Sequence, residues 1–123
     1  MLRGYRDLKA YQLAYKLAME IFEESKRFPK EERYSLTDQI RRSSRGAASN
    51  IAAGFRKRQY PNMFSSKLAD ADEEATETQV WLDFARDCGY LKPERHAYLV
   101  EGYGSLGRML GRMLANPREF MPV

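Results

Sequence analysis

At 123 residues, with a formal net charge of +4, 43% hydrophobic and 31% charged side chains, the chain suits one folded domain with its own core, and its composition argues against disorder. No apolar run approaches the ~18 residues that span a bilayer, and Met-Leu-Arg-Gly-Tyr-Arg-Asp at the start lacks the apolar segment of a signal peptide. One cysteine, Cys88, excludes an internal disulfide or a thiolate metal cage from a single chain, so the expectation is a cytoplasmic protein, away from membranes, with Cys88 as a buried, inert thiol.

A first helix is expected over residues 5–27, where Leu8, Tyr11, Tyr15, Ala18 and Phe22 recur at helical spacing and Ala14, Leu17 and Ile21 widen the face. Phe28-Pro29 ends it, because proline disfavours helical geometry at the preceding residue and has no amide proton to donate. A second helix is expected over residues 34–55, opened by Ser35 with Asp38 three positions on. Its apolar line of Leu36, Ile40, Ala47, Ile51 and Phe55 is flanked by Ser43, Ser44, Ala48 and Ala52, a ridge of small residues that another helix can approach closely. After a break at Gly54 through Pro61, residues 62–88 carry Phe64, Leu68, Ala71, Ala75, Thr78, Leu82 and Ala85 in alternating steps of four and three, the seam of a bundle. Gly89 closes that helix, and Pro93 with Glu94 opens a fourth over residues 93–115, whose apolar face is Leu99, Tyr103, Leu106, Leu110 and Met113 or Leu114. Gly102, Gly104, Gly107 and Gly111 weaken this helix, so either it frays or the glycines admit a neighbouring backbone. Short connections between long helices predict an all-α, up-down-up-down four-helix bundle, a single domain over residues 1–123. No segment alternates as a strand does, and no repeat is evident.

Catalytic chemistry finds little support. His96 is the one side chain that titrates near neutrality without perturbation, and its place in a polar opening turn reads as a solvated surface histidine. A di-iron bundle needs Glu-x-x-His from each of two helices, which one histidine cannot supply. The run Asp70, Asp72, Glu73, Glu74 and Glu77 reads as a solvated or partner-facing stripe rather than a cation site. No phosphate loop, nucleophile elbow or haem attachment sequence is present. The expectation is a protein without catalytic residues, metal or cofactor.

Charge is more informative. On a helical wheel Arg41, Arg42 and Arg45 fall opposite Ile40, Ala47 and Ile51, and Arg56, Lys57 and Arg58 extend them at the C-terminal end. Such a stripe suits phosphate contacts, since arginine binds phosphate through parallel hydrogen bonds. The alternative is ion pairing, with Asp38 one turn before Arg42 and an acidic patch on the third helix. Along that third helix the faces bearing Asp70, Glu73, Glu74 and Glu77 become those of Trp81, Phe84 and Cys88, a second apolar surface beside the seam. An aromatic strip next to acids, with arginines elsewhere, suits a head-to-tail contact that closes into a ring.

Asp7-Leu8 with Ala10-Tyr11, Phe28-Pro29-Lys30-Glu31-Glu32-Arg33-Tyr34-Ser35-Leu36, Gln39 with Arg41-Arg42, Ser49-Asn50-Ile51-Ala52, Gly54, and Gly89-Tyr90-Leu91 together resemble the four-helix proteins encoded in intervening sequences of bacterial 23S rRNA genes. That family is similar to the accessory variability determinant proteins of diversity-generating retroelements. Ala53 stands where the family generally has glutamate, and Tyr11 where tryptophan is common. The resemblance implies a homopentameric ring of four-helix bundles, no enzymatic activity, and binding of RNA or DNA, with a reverse transcriptase as partner in the retroelement relatives. It carries the nucleic-acid role onto Arg41, Arg42 and Arg45, extended by Arg56, Lys57 and Arg58, and it favours phosphate contacts over the ion-pair alternative.

Overall fold

The computed structural model describes residues 2–120. Four helices, α1 (Lys9–Ser25), α2 (Leu36–Arg56), α3 (Pro61–Asp87) and α4 (Pro93–Ala115), form a single all-helical domain with no strand among the described residues. Three short 3-10 turns, Tyr5–Asp7, Lys30–Glu32 and Pro117–Phe120, flank them. The expected first helix begins later than its periodicity implied, because Leu8 takes an extended conformation (φ −70°, ψ 126°) between the first turn and α1.

Helix directions alternate, as contacts across each neighbouring pair demonstrate. Arg41 near the start of α2 meets Ser25 at the end of α1. Gly46 lies under Glu74 and Gly54 under Lys67, so α3 runs back along α2. Arg86 at the end of α3 meets His96 at the start of α4, and Arg95 reaches back to Glu24 of α1. The order around the bundle is therefore the order along the chain, up-down-up-down.

Two connections at one end are tied together chemically. The Tyr90 hydroxyl donates to Glu32 Oε2 at 3.0 Å, linking the α3–α4 turn to the α1–α2 turn. Glu32 Oε1 also accepts from the Ser35 hydroxyl (2.6 Å) and the Leu36 amide (3.3 Å). The α2 cap is thus the Glu32 carboxylate rather than the expected Ser35 side chain, whose proton is spent on Glu32. Gly89 (φ 82°) ends α3 in the left-handed region, with the Tyr90 amide donating to Ala85 O at 2.8 Å and the Gly89 amide to Arg86 O at 3.0 Å. That pair of bonds is a Schellman closure, a conformation that favours glycine.

The seam read from α3 is the core: Phe64, Leu68, Leu82, Ile40, Ile51, Leu17, Ile21, Leu99, Tyr103, Leu106 and Leu110 are all buried. Within it the Thr78 and Ser43 hydroxyls lie 2.8 Å apart, and Thr78 donates to Glu74 O at 2.8 Å, which satisfies the threonine on an otherwise apolar face. α2 and α3 make the most intimate pair, as the small-residue ridge requires: a Cβ at Gly54 would sit 3.2 Å from Lys67 Cβ and 3.4 Å from Leu68 Cδ2.

α4 is continuous, so its glycines do not fray it. Gly102 alone admits a close neighbour, the Leu17 side chain of α1. Two sequence expectations are corrected. His96 is buried, its Nε2 2.7 Å from Asp83 Oδ1 and its Nδ1 3.3 Å from Arg86 Nη1, because it occupies the seam position three residues before Leu99. Cys88 is exposed, because α3 ends one residue earlier and Cys88 continues the outer column of Val80 and Phe84.

Candidate nucleic-acid interface

The six cations singled out on α2 form two groups. Arg41, Arg42 and Arg45 lie in its first half; Arg56, Lys57 and Arg58 lie at its C-terminal end, about 16 Å further along the axis from Arg45 at 1.5 Å per residue. None of the six joins an ion pair with a carboxylate among the described residues, Asp38 and Arg42 included.

Their environments differ. Arg41 departs from the outward face expected of it: it is half-buried, its Nε donates to Ser25 Oγ at 2.8 Å, and its guanidinium lies 4.8 Å from the Phe22 ring centre. Arg45 is exposed and borders the same ring at 5.8 Å. Arg42 is exposed on the side toward α3, where its charge acts on Glu74. Arg58 folds over Phe55 at 4.0 Å and donates to Phe55 O at 3.1 Å, whereas Arg56 and Lys57 extend into solvent. Packing on an aromatic face leaves the edge of a guanidinium free to donate, and holds it in place at little entropic cost.

The residues proposed for self-contact are also divided. Asp70 and Glu73 are exposed, and Glu74 and Glu77 are half-buried. Dehydration above all, then Glu77 and Glu73, push the Glu74 carboxyl above the ordinary carboxylate range, against the pull of Arg42. Phe84 is 54% exposed and Val80 43%, while Trp81 is half-buried against the core with its ring 5.9 Å from that of Phe84. The outward apolar strip is therefore Val80 with Phe84, and Trp81 is its backing. Trp81 Nε1 is buried without a hydrogen-bond partner among the described residues.

Residues outside the sequence reading complete the basic face. Arg3, Arg6, Arg56 and Arg58 line one concavity with Tyr5, Asp7 and Phe55, at the end of the bundle where the N-terminal turn crosses α2. Their signal was two arginines in the opening residues, visible but not assignable to α2 without the fold. No group of three His, Cys, Asp or Glu side chains that could hold a metal ion occurs among the described residues. No helix among them is long and apolar enough to cross a membrane.

A family model described as 23S rRNA-intervening sequence protein matches residues 6–112. Among solved structures, a protein of unknown function from the S23 ribosomal protein family of Bacteroides thetaiotaomicron superposes with a TM-score of 0.77 at 22% identity, covering 86% of this chain and 95% of that one. At that identity it establishes the four-helix fold. No curated protein matches the chain.

Proposed function

Since the chain belongs to the 23S rRNA-intervening sequence protein family, we propose that it is a non-catalytic accessory protein that binds RNA or DNA through phosphate contacts from α2. The observation that carries this reading is the set of six cations, Arg41, Arg42, Arg45, Arg56, Lys57 and Arg58, with no carboxylate partner in the chain's own described residues. Guanidinium groups held on aromatic rings are preorganised donors for phosphate oxygens. Such contacts read backbone charge and not base identity, so sequence preference is low.

Fluorescence polarisation with a structured RNA across a salt series tests it. Six neutralised phosphates give a slope of about −5 in log K against log salt. Replacing Arg41, Arg42 and Arg45 together by alanine lowers the slope by about three. Salt-indifferent affinity, or a triple variant that binds as the parent does, refutes the reading.

The outward strip of Val80 and Phe84 supports a second element of the proposal, that copies of the chain meet through α3 and close into a ring. In that reading Asp70, Glu73, Glu74 and Glu77 face basic groups of the next copy. Light scattering on Phe84→Glu tests it: a ring loses mass, and an unchanged mass removes α3 from the contact. The same strip offers a place for another protein, a reverse transcriptase among the candidates, and a pull-down that survives nuclease treatment distinguishes that role from a nucleic-acid bridge.

A further inference from the structure

Between α1 and α2 runs a groove of about 460 Å³ lined by the rings of Tyr5, Tyr11, Tyr15 and Phe22 and by the small residues Ala18 and Ala48. Arg45 is its one charged residue among the described residues. Tyr5 also lines a second concavity, the one that holds Arg3, Arg6, Arg56 and Arg58, so both cavities border that ring. Among the described residues the only acid in either lining is Asp7, whose Oδ2 already accepts the Arg3 amide at 2.8 Å.

The aromatic rings are ordered along this path. Tyr5 meets Tyr11 edge-on at 4.9 Å, and Tyr11 lies 6.0 Å from Tyr15 at an angle of 35°. Arg6 covers Tyr5 at 4.6 Å, and Arg41 and Arg45 cover Phe22. Tyr15, 53% exposed, is covered by no cation among the described residues. It therefore presents an uncapped aromatic ring in the stretch of chain between Tyr5, covered by Arg6, and Phe22, covered by Arg41 and Arg45.

We infer that this groove holds a single-stranded segment of nucleic acid, with a base stacked on Tyr15 and flanking phosphates held by Arg45 on one side and by Arg6, Arg56 and Arg58 on the other. The inference rests on the phosphate-binding reading above and specifies its substrate. Flat apolar rings separated by arginines complement a polymer that alternates flat bases with anionic phosphates. A duplex could offer only its phosphates, because its base faces are already stacked on one another. Alanine at positions 18 and 48 leaves room for an inserted ring, where larger side chains would fill the space.

Polarisation titrations of a labelled oligouridylate and of an RNA duplex of the same length, with the parent, Tyr15→Ala, Tyr15→Phe and the Arg41, Arg42, Arg45 triple alanine variant, test this. Tyr15→Ala weakens oligouridylate binding by about tenfold at an unchanged salt slope, Tyr15→Phe binds as the parent does, and duplex binding is the same for all three. The arginine variant loses affinity for both ligands. If Tyr15→Ala weakens neither ligand, or both equally, stacking is overturned while the phosphate reading stands on the arginine variant. If the parent binds neither RNA at low salt, both readings fall. If Tyr15→Ala changes the mass seen by light scattering, the groove is a contact between copies, and the inference is overturned.

Discussion

The four glycines of α4 allow one steric argument to be tested within one helix. A Cβ at Gly111 meets nothing among the described residues within 4 Å, whereas a Cβ at Gly102 would lie 2.5 Å from Leu17 Cδ2 and 3.3 Å from Leu17 Cδ1. Gly111→Ala should therefore deliver the full helix-propensity gain of about 1 kcal/mol, raising Tm by about 3 to 5 °C for a domain of this size. At Gly102 the same gain is opposed. Leu17 is 2% exposed and must move about 1 Å to reach ordinary carbon contact distance, and overpacking of that kind costs about 1 to 3 kcal/mol. The net expectation for Gly102→Ala is a loss of up to about 2 kcal/mol. The decisive measurement is a double-mutant cycle by urea unfolding followed by circular dichroism. Leu17→Ala alone should cost about 2 to 5 kcal/mol, but in its background Gly102→Ala should become stabilising, since the methyl group it meets is gone. If Gly102→Ala stabilises the parent as much as Gly111→Ala does, α4 does not dock on α1 through Leu17 and the reasoning fails.

Glu74→Gln should stabilise the fold at neutral pH: the carboxyl is held above its ordinary range, so its contribution is intact below the unfolded value and declines as pH rises through the folded one. The advantage should shrink in acid, and urea midpoints across pH that show a constant or reversed difference would count against it. Tyr90→Phe removes the bond that helps hold Glu32 below the carboxylate range, behind the larger effect of the Ser35 hydroxyl, while Glu32 pushes Tyr90 up to about 12. The stabilisation should be present above the ordinary Glu range and fade as Glu32 protonates in acid. On the alkaline side it should fade as pH rises from about 10, the ordinary tyrosine value, toward the raised one, so a pH-independent difference would show that the bond is not formed. Cys88, exposed in the single chain at the end of α3, should react with a thiol reagent in folded Phe84→Glu, where contact through α3 is opened, at the rate seen in urea. Protection of that thiol until unfolding would place it inside the fold.

What the sequence made legible and what it concealed divide along one physical line. The four helices and the α3 seam were readable because each rests on a repeat within a single segment: a buried arc recurs every three or four residues whatever packs against it. The errors arose where composition was set against that repeat. His96 has a polar residue's character but the seam's spacing, leading into Leu99, Tyr103, Leu106 and Leu110, and the spacing placed it inside, bonded to Asp83. Cys88 has the character of a buried residue, but the helix ends before it and no seam position is left for it to occupy. The candidate site was harder, because no single helix contains it. A wheel of α2 turned Arg41 outward, and only the arrival of Phe22 and Ser25 from α1 makes it a half-buried side chain at the helix boundary. A wheel of α1 grouped Tyr15 with the core face, yet Ala14, Leu17, Ala18 and Ile21 fill the inner arc and leave Tyr15 on the rim of the groove. Arg3 and Arg6 join the α2 cations only because the N-terminal turn crosses the end of α2. A bundle core needs each helix to present one apolar face, so its requirements are written into each segment separately. A groove between two helices needs residues from the flanks of both, where spacing is shared with the core and the difference lies in how closely the neighbours approach.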